Sequence, residues 1–386
     1  MENFTRAVGH GSDGRAYLDW NATAPPSEVA LEAWNDCMRD AWANASSLHA
    51  EGCVAAGRLK RARESLARHT GTSAGEWVFT SGGTESIHAA IYGMARARRG
   101  RKRIVTSRGE HACVRAVMDD LESQGFEIVR VGLDGGGRWD ALEVARSCDE
   151  NTALVSLIWT NNETGAISDV QNVAERLLER RVPLHLDAVQ VPGRLPFRLD
   201  SLPVGLVSIS GHKFRAPKGI GALFVRRGSP WTRWMLGGEQ ERGRRAGTSN
   251  VAGAAAMAAA LEAVRDEDSV AMARRRDAFE HALRERLPGA MVLASKGERL
   301  PNTSALTFAG VESAALLMRL DDRGFAVSSG SACTAGRTDP SPTLLAMGLS
   351  PAQAHGTIRV SIGPSTSESD LQRLAQVLAE EIPGLR

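Results

Sequence analysis

The chain has 386 residues, 42% of them hydrophobic, and its 47 basic and 45 acidic side chains leave a formal charge of only +2. That length exceeds what one compact core usually holds, so two domains are expected, and well-mixed charge argues against a one-signed surface for nucleic acid or membrane. The five cysteines, at 37, 53, 113, 148 and 333, include no Cys-x-x-Cys pair, which argues against a zinc site or disulfide framework and for a reducing, cytoplasmic setting.

In chain order, residues 1 to 15 hold no apolar core fit for a signal peptide, and no later run approaches the roughly 18 apolar residues of a membrane span. From about residue 75 to 227, short β-rich runs alternate with helical patterns. The runs are 77–80, 103–107, 127–131, 153–159, 183–189, 206–210 and 221–226. They predict an α/β domain around a mainly parallel seven-stranded sheet, with the chemistry on loops at the carboxyl ends of the strands. The basic stretch Ala95 to Arg103 closes the helical pattern Ile87 to Arg98, where cations suit the helix dipole better than they suggest a DNA-binding patch. An Ala-rich helix over 251–265 leads into a charged run, Asp266 to Arg276, that reads as a helix crossing between domains. Strands at 303–308 and 357–362 and an amphipathic helix near 368–382 then predict a smaller α+β domain. The expected division is 16–262 for the large domain and 263–386 for the small one, with residues 1–20 either packing on the small domain or disordered.

Several loops carry groups with chemical potential. Thr80-Ser-Gly-Gly-Thr-Glu-Ser86 follows the first strong strand and opens into a helix. Glycines there let backbone amides approach an anion, the helix N-terminus adds partial positive charge, and Thr84 offers a hydroxyl, so Gly83 and Thr84 suit a phosphate. No Gly-Lys-Ser/Thr follows, so this is not a Walker loop. Lys213 in Ser208-Ile-Ser-Gly-His-Lys213, with Asp187 at the end of a preceding strand, matches the needs of pyridoxal 5'-phosphate (PLP). That cofactor takes an amine for its Schiff base and a carboxylate to hold the proton on its ring nitrogen. His111 and Asn162 also end strands; in such a site the imidazole can stack on the ring and move a proton. Taken alone, the first reads as a structural histidine and the second as a turn asparagine. Cys333 lies in Val327-Ser-Ser-Gly-Ser-Ala-Cys-Thr-Ala-Gly336, with no bulky neighbour to bury its sulfur, and reads as a nucleophile. Arg359, in the strand Thr357-Ile-Arg-Val360, can hold a substrate carboxylate bidentately or form a plain ion pair.

Taken together, these segments resemble the class I cysteine desulfurases, NifS/IscS-like enzymes of the PLP-dependent transferase fold type I. The resemblance rests on Leu18-Asp-Trp-Asn-Ala-Thr-Ala-Pro25, Asn44-Ala-Ser-Ser-Leu-His49, Phe79-Thr-Ser-Gly-Gly-Thr-Glu-Ser86, Asn161-Asn-Glu-Thr-Gly165, Asp187-Ala-Val-Gln190, Gly211-His-Lys213, Gln240-Glu-Arg-Gly-Arg-Arg-Ala-Gly-Thr248 and Ser328-Ser-Gly-Ser-Ala-Cys-Thr334. It runs in order from about Tyr17 to the last helix. It implies that Lys213 forms the Schiff base, Asp187 pairs with the ring nitrogen, Gln190 bonds the ring hydroxyl and His111 stacks over the ring as acid and base. Gly83, Thr84, Ser210 and His212 would hold the phosphate, with Thr248 reaching in from the second subunit of a homodimer. Asn162 and Arg359 would bind the carboxylate of L-cysteine, and Cys333 would take its sulfur as a persulfide, releasing L-alanine.

The same resemblance implies a protein sulfur acceptor, and iron-sulfur assembly, tRNA thiolation, DNA sulfur modification and cofactor sulfuration all begin with that persulfide. Trp20 stands where the related motif has a smaller or tyrosine side chain, Ala24 where threonine is common, and Ser249 where glutamate is frequent, while Arg215 adds a charge after Lys213. The chain stops soon after its last helix, so the tail by which housekeeping members dock an iron-sulfur scaffold is not expected. The rival readings are a selenocysteine lyase, an aminotransferase, which has no use for Cys333, and a non-catalytic homologue that binds a sulfur acceptor.

Overall fold

The computed structural model describes residues 14–329 and 339–386. Its strands are β1 (Ala16–Tyr17), β2 (Trp77–Thr80), β3 (Arg103–Ser107), β4 (Glu127–Val131), β5 (Thr152–Ile158), β6 (Leu184–Asp187), β7 (Leu206–Ser210), β8 (Gly221–Val225), β9 (Met291–Val292), β10 (Thr303–Thr307), β11 (Phe325–Ala326) and β12 (Thr357–Ser361). Seven of them form the large sheet in the order β2-β8-β7-β6-β5-β3-β4. The neighbours β3/β4, β3/β5, β5/β6 and β6/β7 are parallel, whereas β8 runs antiparallel to both β7 and β2.

These runs become strands because both sheet faces are covered, so continuous apolar sequence is needed rather than simple alternation. On β2, Val78 points into one core while Trp77 and Phe79 point into the other, the period of two that a pleated strand imposes. The helices Gly83–Ala97 and Ala112–Ser123 close the first core through Ile87, Ile91, Met94, Val117 and Met118. The second face is covered by the helices Ala50–Thr70, Val170–Glu179 and Val251–Glu262, which bring Leu59, Leu66, Val173, Leu177 and Met257 to the sheet. Opposite β5 and β6, helix and sheet are thus packed on both sides, which fixes where the strand ends lie.

The smaller unit has an antiparallel sheet in the order β12-β10-β9, and a parallel pair of β1 with β11. Its core gathers Ala16 and Leu18 from the start of the described chain with Phe308, Leu316, Phe325, Ile358 and the terminal helix Glu368–Glu381. The charged run after residue 265 is helical, as the pattern predicts. It continues as one helix, Asp266–Arg286, and buries Met272, Phe279 and Leu283 in the small core. Glu280 on that helix is 3% exposed and accepts a two-pronged bond from Arg299, both prongs at 2.6 Å, plus the Ser304 hydroxyl at 2.6 Å. A buried carboxylate needs such partners.

Trp20 sits between the two units, 3% exposed, with its indole N–H donated to the Tyr17 carbonyl at 3.1 Å. A Cβ placed on Gly363 would lie only 2.2–2.3 Å from three atoms of its ring. Gly221, which starts β8 beside the loop after β2, is equally confined: a Cβ there would lie 2.7 Å from the Gly82 backbone and 2.8 Å from the Ile209 carbonyl oxygen. Neither neighbour is a flexible side-chain tip, so Gly221→Ala is expected to destabilise the fold by about 1–3 kcal/mol. A thermal midpoint unchanged by Gly221→Ala would contradict this.

Candidate active site

The strand directions bring one edge of the sheet together. β2, β3, β5, β6 and β7 all end there; Asp187 is the last residue of β6, and the segments after the other four carry Gly83, His111, Asn162 and Lys213. Those residues line a cavity of about 570 Å³, together with Thr84, Gln190, Ser210, His212 and Arg359. Lys213 follows β7 in a short 3-10 turn, Gly211–Phe214, and its ammonium donates to the carbonyls of Asn21 and Ala22, each at 2.8 Å. Asp187 closes β6, is 4% exposed, and accepts the Val189 backbone N–H at 3.0 Å. Burial pushes its carboxyl up to about 6 against the opposing pull of that N–H and of the Lys213 charge.

His111 caps the helix Ala112–Ser123: its Nδ1 accepts the Cys113 backbone N–H at 3.2 Å, with the Cys113 sulfur 3.0 Å away. An Nδ1 that accepts leaves the proton of the neutral ring on Nε2. Burial first, and then the charges of Lys213 and Arg115, push this imidazole down to about 4. The His212 Nδ1 is 3.0 Å from the Thr23 hydroxyl, and burial drives its pKa down to about 4 as well. Gln190 gives its amide N–H to Asn21 O at 3.0 Å, while its Oε1 is buried in the cavity wall with no partner among the described residues. Arg359 is 2% exposed, with one Nη on Asp19 at 2.5 Å and the other on the Asn162 carbonyl at 3.0 Å.

A Cβ at Gly83 would meet Val189 Cγ2 at 2.9 Å and Ser210 Cβ at 3.3 Å, so any larger residue there would have to displace the Val189 side chain beside the cavity. Thr248 is exposed and does not line the cavity of its own chain. Cys333 lies outside the described residues, although Asp339 to Pro342, shortly after it, line the same cavity.

Residues 16–374 match the aminotransferase class-V family. The chain belongs to this family. Within it, a cysteine desulfurase of Trichormus azollae is 39% identical over 373 residues, 96% of this chain and 93% of that one. Among solved structures, a NifS-like protein superposes with a TM-score of 0.90 at 32% identity, covering 96% of this chain and all of that one. A structure described as SspA in complex with cysteine gives a TM-score of 0.82 at 32% identity, over 91% and 99% of the two chains. The chain is therefore a class-V protein of the cysteine desulfurase group with the fold type I architecture. No helix among the described residues is long and apolar enough to cross a membrane.

The class-V site also contains groups that sequence reasoning passed over. Asn21, 1% exposed, ties the units together: its side chain reaches the Asn162 carbonyl at 3.2 Å, Thr303 at 2.9 Å and Asn302 at 3.1 Å. Its carbonyl receives both Lys213 and Gln190. Asp19, which holds Arg359, lies in the same quoted motif, and that clustering was the signal available. Glu110 is 1% exposed and takes the Ser107 hydroxyl at 2.5 Å and the Ile158 N–H at 3.0 Å; burial pushes it up to about 8, so at neutral pH it is largely protonated. Beneath Asp187, His185 bridges Ser156 and Ser208 at 2.9 Å each, and burial keeps it neutral, with a pKa near 3. Nothing in the local sequence marks either as buried.

Proposed function

We propose that the protein converts L-cysteine to L-alanine and passes the sulfur to Cys333 as a persulfide, from which a protein acceptor collects it. The observation that carries this reading is the meeting, in one cavity, of a lysine amine, a buried carboxylate, a neutral imidazole and a buried arginine with its Asn162 partner.

The cavity wall fits PLP. Asp187 is a buried carboxylate suited to a cationic ring nitrogen, the buried Gln190 Oε1 suits a hydroxyl, and the glycine at 83 keeps the turn beside Ser210 uncrowded by a Cβ. Lys213 would hold the cofactor as a Schiff base, Asp187 its ring nitrogen, Gln190 its ring hydroxyl, and Gly83, Thr84, Ser210 and His212 its phosphate. His111 would lie over the ring. When bound, PLP supplies an electron sink for the bonds at the substrate Cα. Arg359, fixed by Asp19, presents its guanidinium to the substrate carboxylate beside Asn162. Lys213 and the neutral His111, both lining the cavity, would move the proton at Cα. Cys333 thiolate then bonds to the substrate sulfur; the C–S bond breaks with its electron pair left on Cβ, which takes up a proton to complete alanine.

A homodimer completes this proposal, with Thr248 contributing to the partner subunit's phosphate site. Its exposure on the loop after the turn Gln240–Gly243 supports that reading. Mixing Lys213→Ala with Thr248→Ala protein is expected to restore part of the activity in hybrid dimers, and size-exclusion with light scattering to report two chains. A monomer that binds PLP stoichiometrically would contradict it. The function itself is tested by supplying L-cysteine to the PLP-loaded protein and measuring alanine and sulfide with a reductant present. No alanine would overturn it, and a strong preference for L-selenocysteine would replace it with the lyase reading.

A further inference from the structure

The segment that carries Cys333 is flanked by two attachments, and both lead to the residues expected to read the substrate carboxylate. On its N-terminal side, Ser328 and Arg359 form a backbone bridge: Ser328 N–H donates to Arg359 O at 3.2 Å, and Arg359 N–H donates to Ser328 O at 2.6 Å. On its C-terminal side, the Ser341 hydroxyl donates to Glu163 Oε2 at 2.6 Å, at the short end for such a bond, with the two residues 5% and 8% exposed. The same Ser341 oxygen accepts the Leu344 N–H at 3.3 Å and caps the helix Pro342–Ala346, so the chain direction at this point is set twice.

Glu163 is itself held by its neighbours. The Asn161 side chain accepts the backbone N–H groups of Glu163 at 3.0 Å and Thr164 at 2.9 Å, which locks the turn that also presents Asn162. The Asn162 carbonyl in turn receives Arg359 at 3.0 Å. Residues 161–164, Arg359, Ser328 and Ser341 therefore make one connected frame.

We infer that the Glu163–Ser341 hydrogen bond anchors the Cys333 segment to the substrate-binding turn, making Glu163 a positioning residue for the sulfur-transfer step and not for the steps at Cα. The inference rests on the proposed desulfurase reading. Its physical basis is local concentration: Ser328 and Ser341, the described residues on either side of the Cys333 segment, are both tied to the substrate-binding turn, so releasing Ser341 is expected to lower the effective concentration of a nucleophile carried between them without touching the cofactor site.

The test separates the two kinds of step in the PLP-loaded protein. Exchange of the α-hydrogen of L-alanine in D₂O, followed by NMR, needs the groups at Cα but not Cys333; alanine formation from L-cysteine needs both. Ser341→Ala and Glu163→Ala are expected to keep exchange within about twofold while alanine formation falls roughly ten- to a hundredfold. Glu163→Gln, which keeps a carbonyl acceptor for Ser341, is expected to recover most of the loss. Equal losses of exchange and alanine formation in Ser341→Ala, no loss in either, or a Glu163→Gln protein as slow as Glu163→Ala would each overturn the inference. Absence of alanine from the unsubstituted protein would instead count against the desulfurase reading.

Discussion

Lys213→Ala is expected to lose the visible absorbance of the bound cofactor and to slow alanine formation from L-cysteine by more than about a thousandfold. The fold should survive, because this side chain is only partly buried and its hydrogen bonds to the Asn21 and Ala22 carbonyls join loop backbone to loop side chain, not core to core. Asn21 O keeps its bond from Gln190 when the amine is removed, so the structural loss is of the order of 1 kcal/mol. Circular dichroism and a thermal midpoint close to those of the parent, beside absent turnover, is the expected combination. A Lys213→Ala protein that makes alanine at the parent rate would remove the basis for assigning PLP.

The second large effect belongs to Cys333. Cys333→Ser should still bind PLP and still exchange the α-hydrogen of L-alanine, since Lys213, His111, Asp187 and Arg359 are unchanged. It should form no alanine from L-cysteine, because a serine hydroxyl is too weak an acid to attack sulfur as an anion at neutral pH. Cys113 is the competing thiol: it lines the cavity, and its sulfur is 3.0 Å from His111 Nδ1. Mass spectrometry after brief exposure to L-cysteine without reductant is expected to place the added sulfur on Cys333. An adduct on Cys113, or alanine from Cys333→Ser at the parent rate, would assign the nucleophile to the other cysteine.

The large sheet was legible because its strands are short runs rich in apolar and β-branched residues. The runs 77–80, 103–107, 127–131 and 206–210 coincide with β2, β3, β4 and β7, the run 153–159 is offset from β5 by one residue, and the runs 183–189 and 221–226 overrun β6 and β8 at their ends. Burial on both faces leaves that pattern in the sequence whatever the strand order. The order itself is not written locally: that β8 turns antiparallel between β7 and β2 depends on partners far away in the chain. The helix after the Gly83 turn starts at Gly83, not at Ile87, since its first turn is held by side chains such as Ser86 and Glu85 instead of by apolar spacing. The same distinction governs the site. Lys213 and Asp187 are conspicuous beside their strands, but Asp19 acquires meaning only through Arg359, and Glu110 only through burial against Ser107 and Ile158.

The packing of Trp20 against Gly363 imposes an order on change. While the indole fills that space, no residue with a Cβ fits at 363. Replacing Trp20 by a smaller side chain opens a void that an alanine at 363 would partly fill, so the pair should be non-additive: Gly363→Ala harmful alone, and tolerated or beneficial after Trp20→Leu. Once both had changed, a direct return to tryptophan would collide with the new methyl group. Two positions at opposite ends of the chain thus behave as a ratchet, passable only with position 20 changing first and reversible only with position 363 restored first.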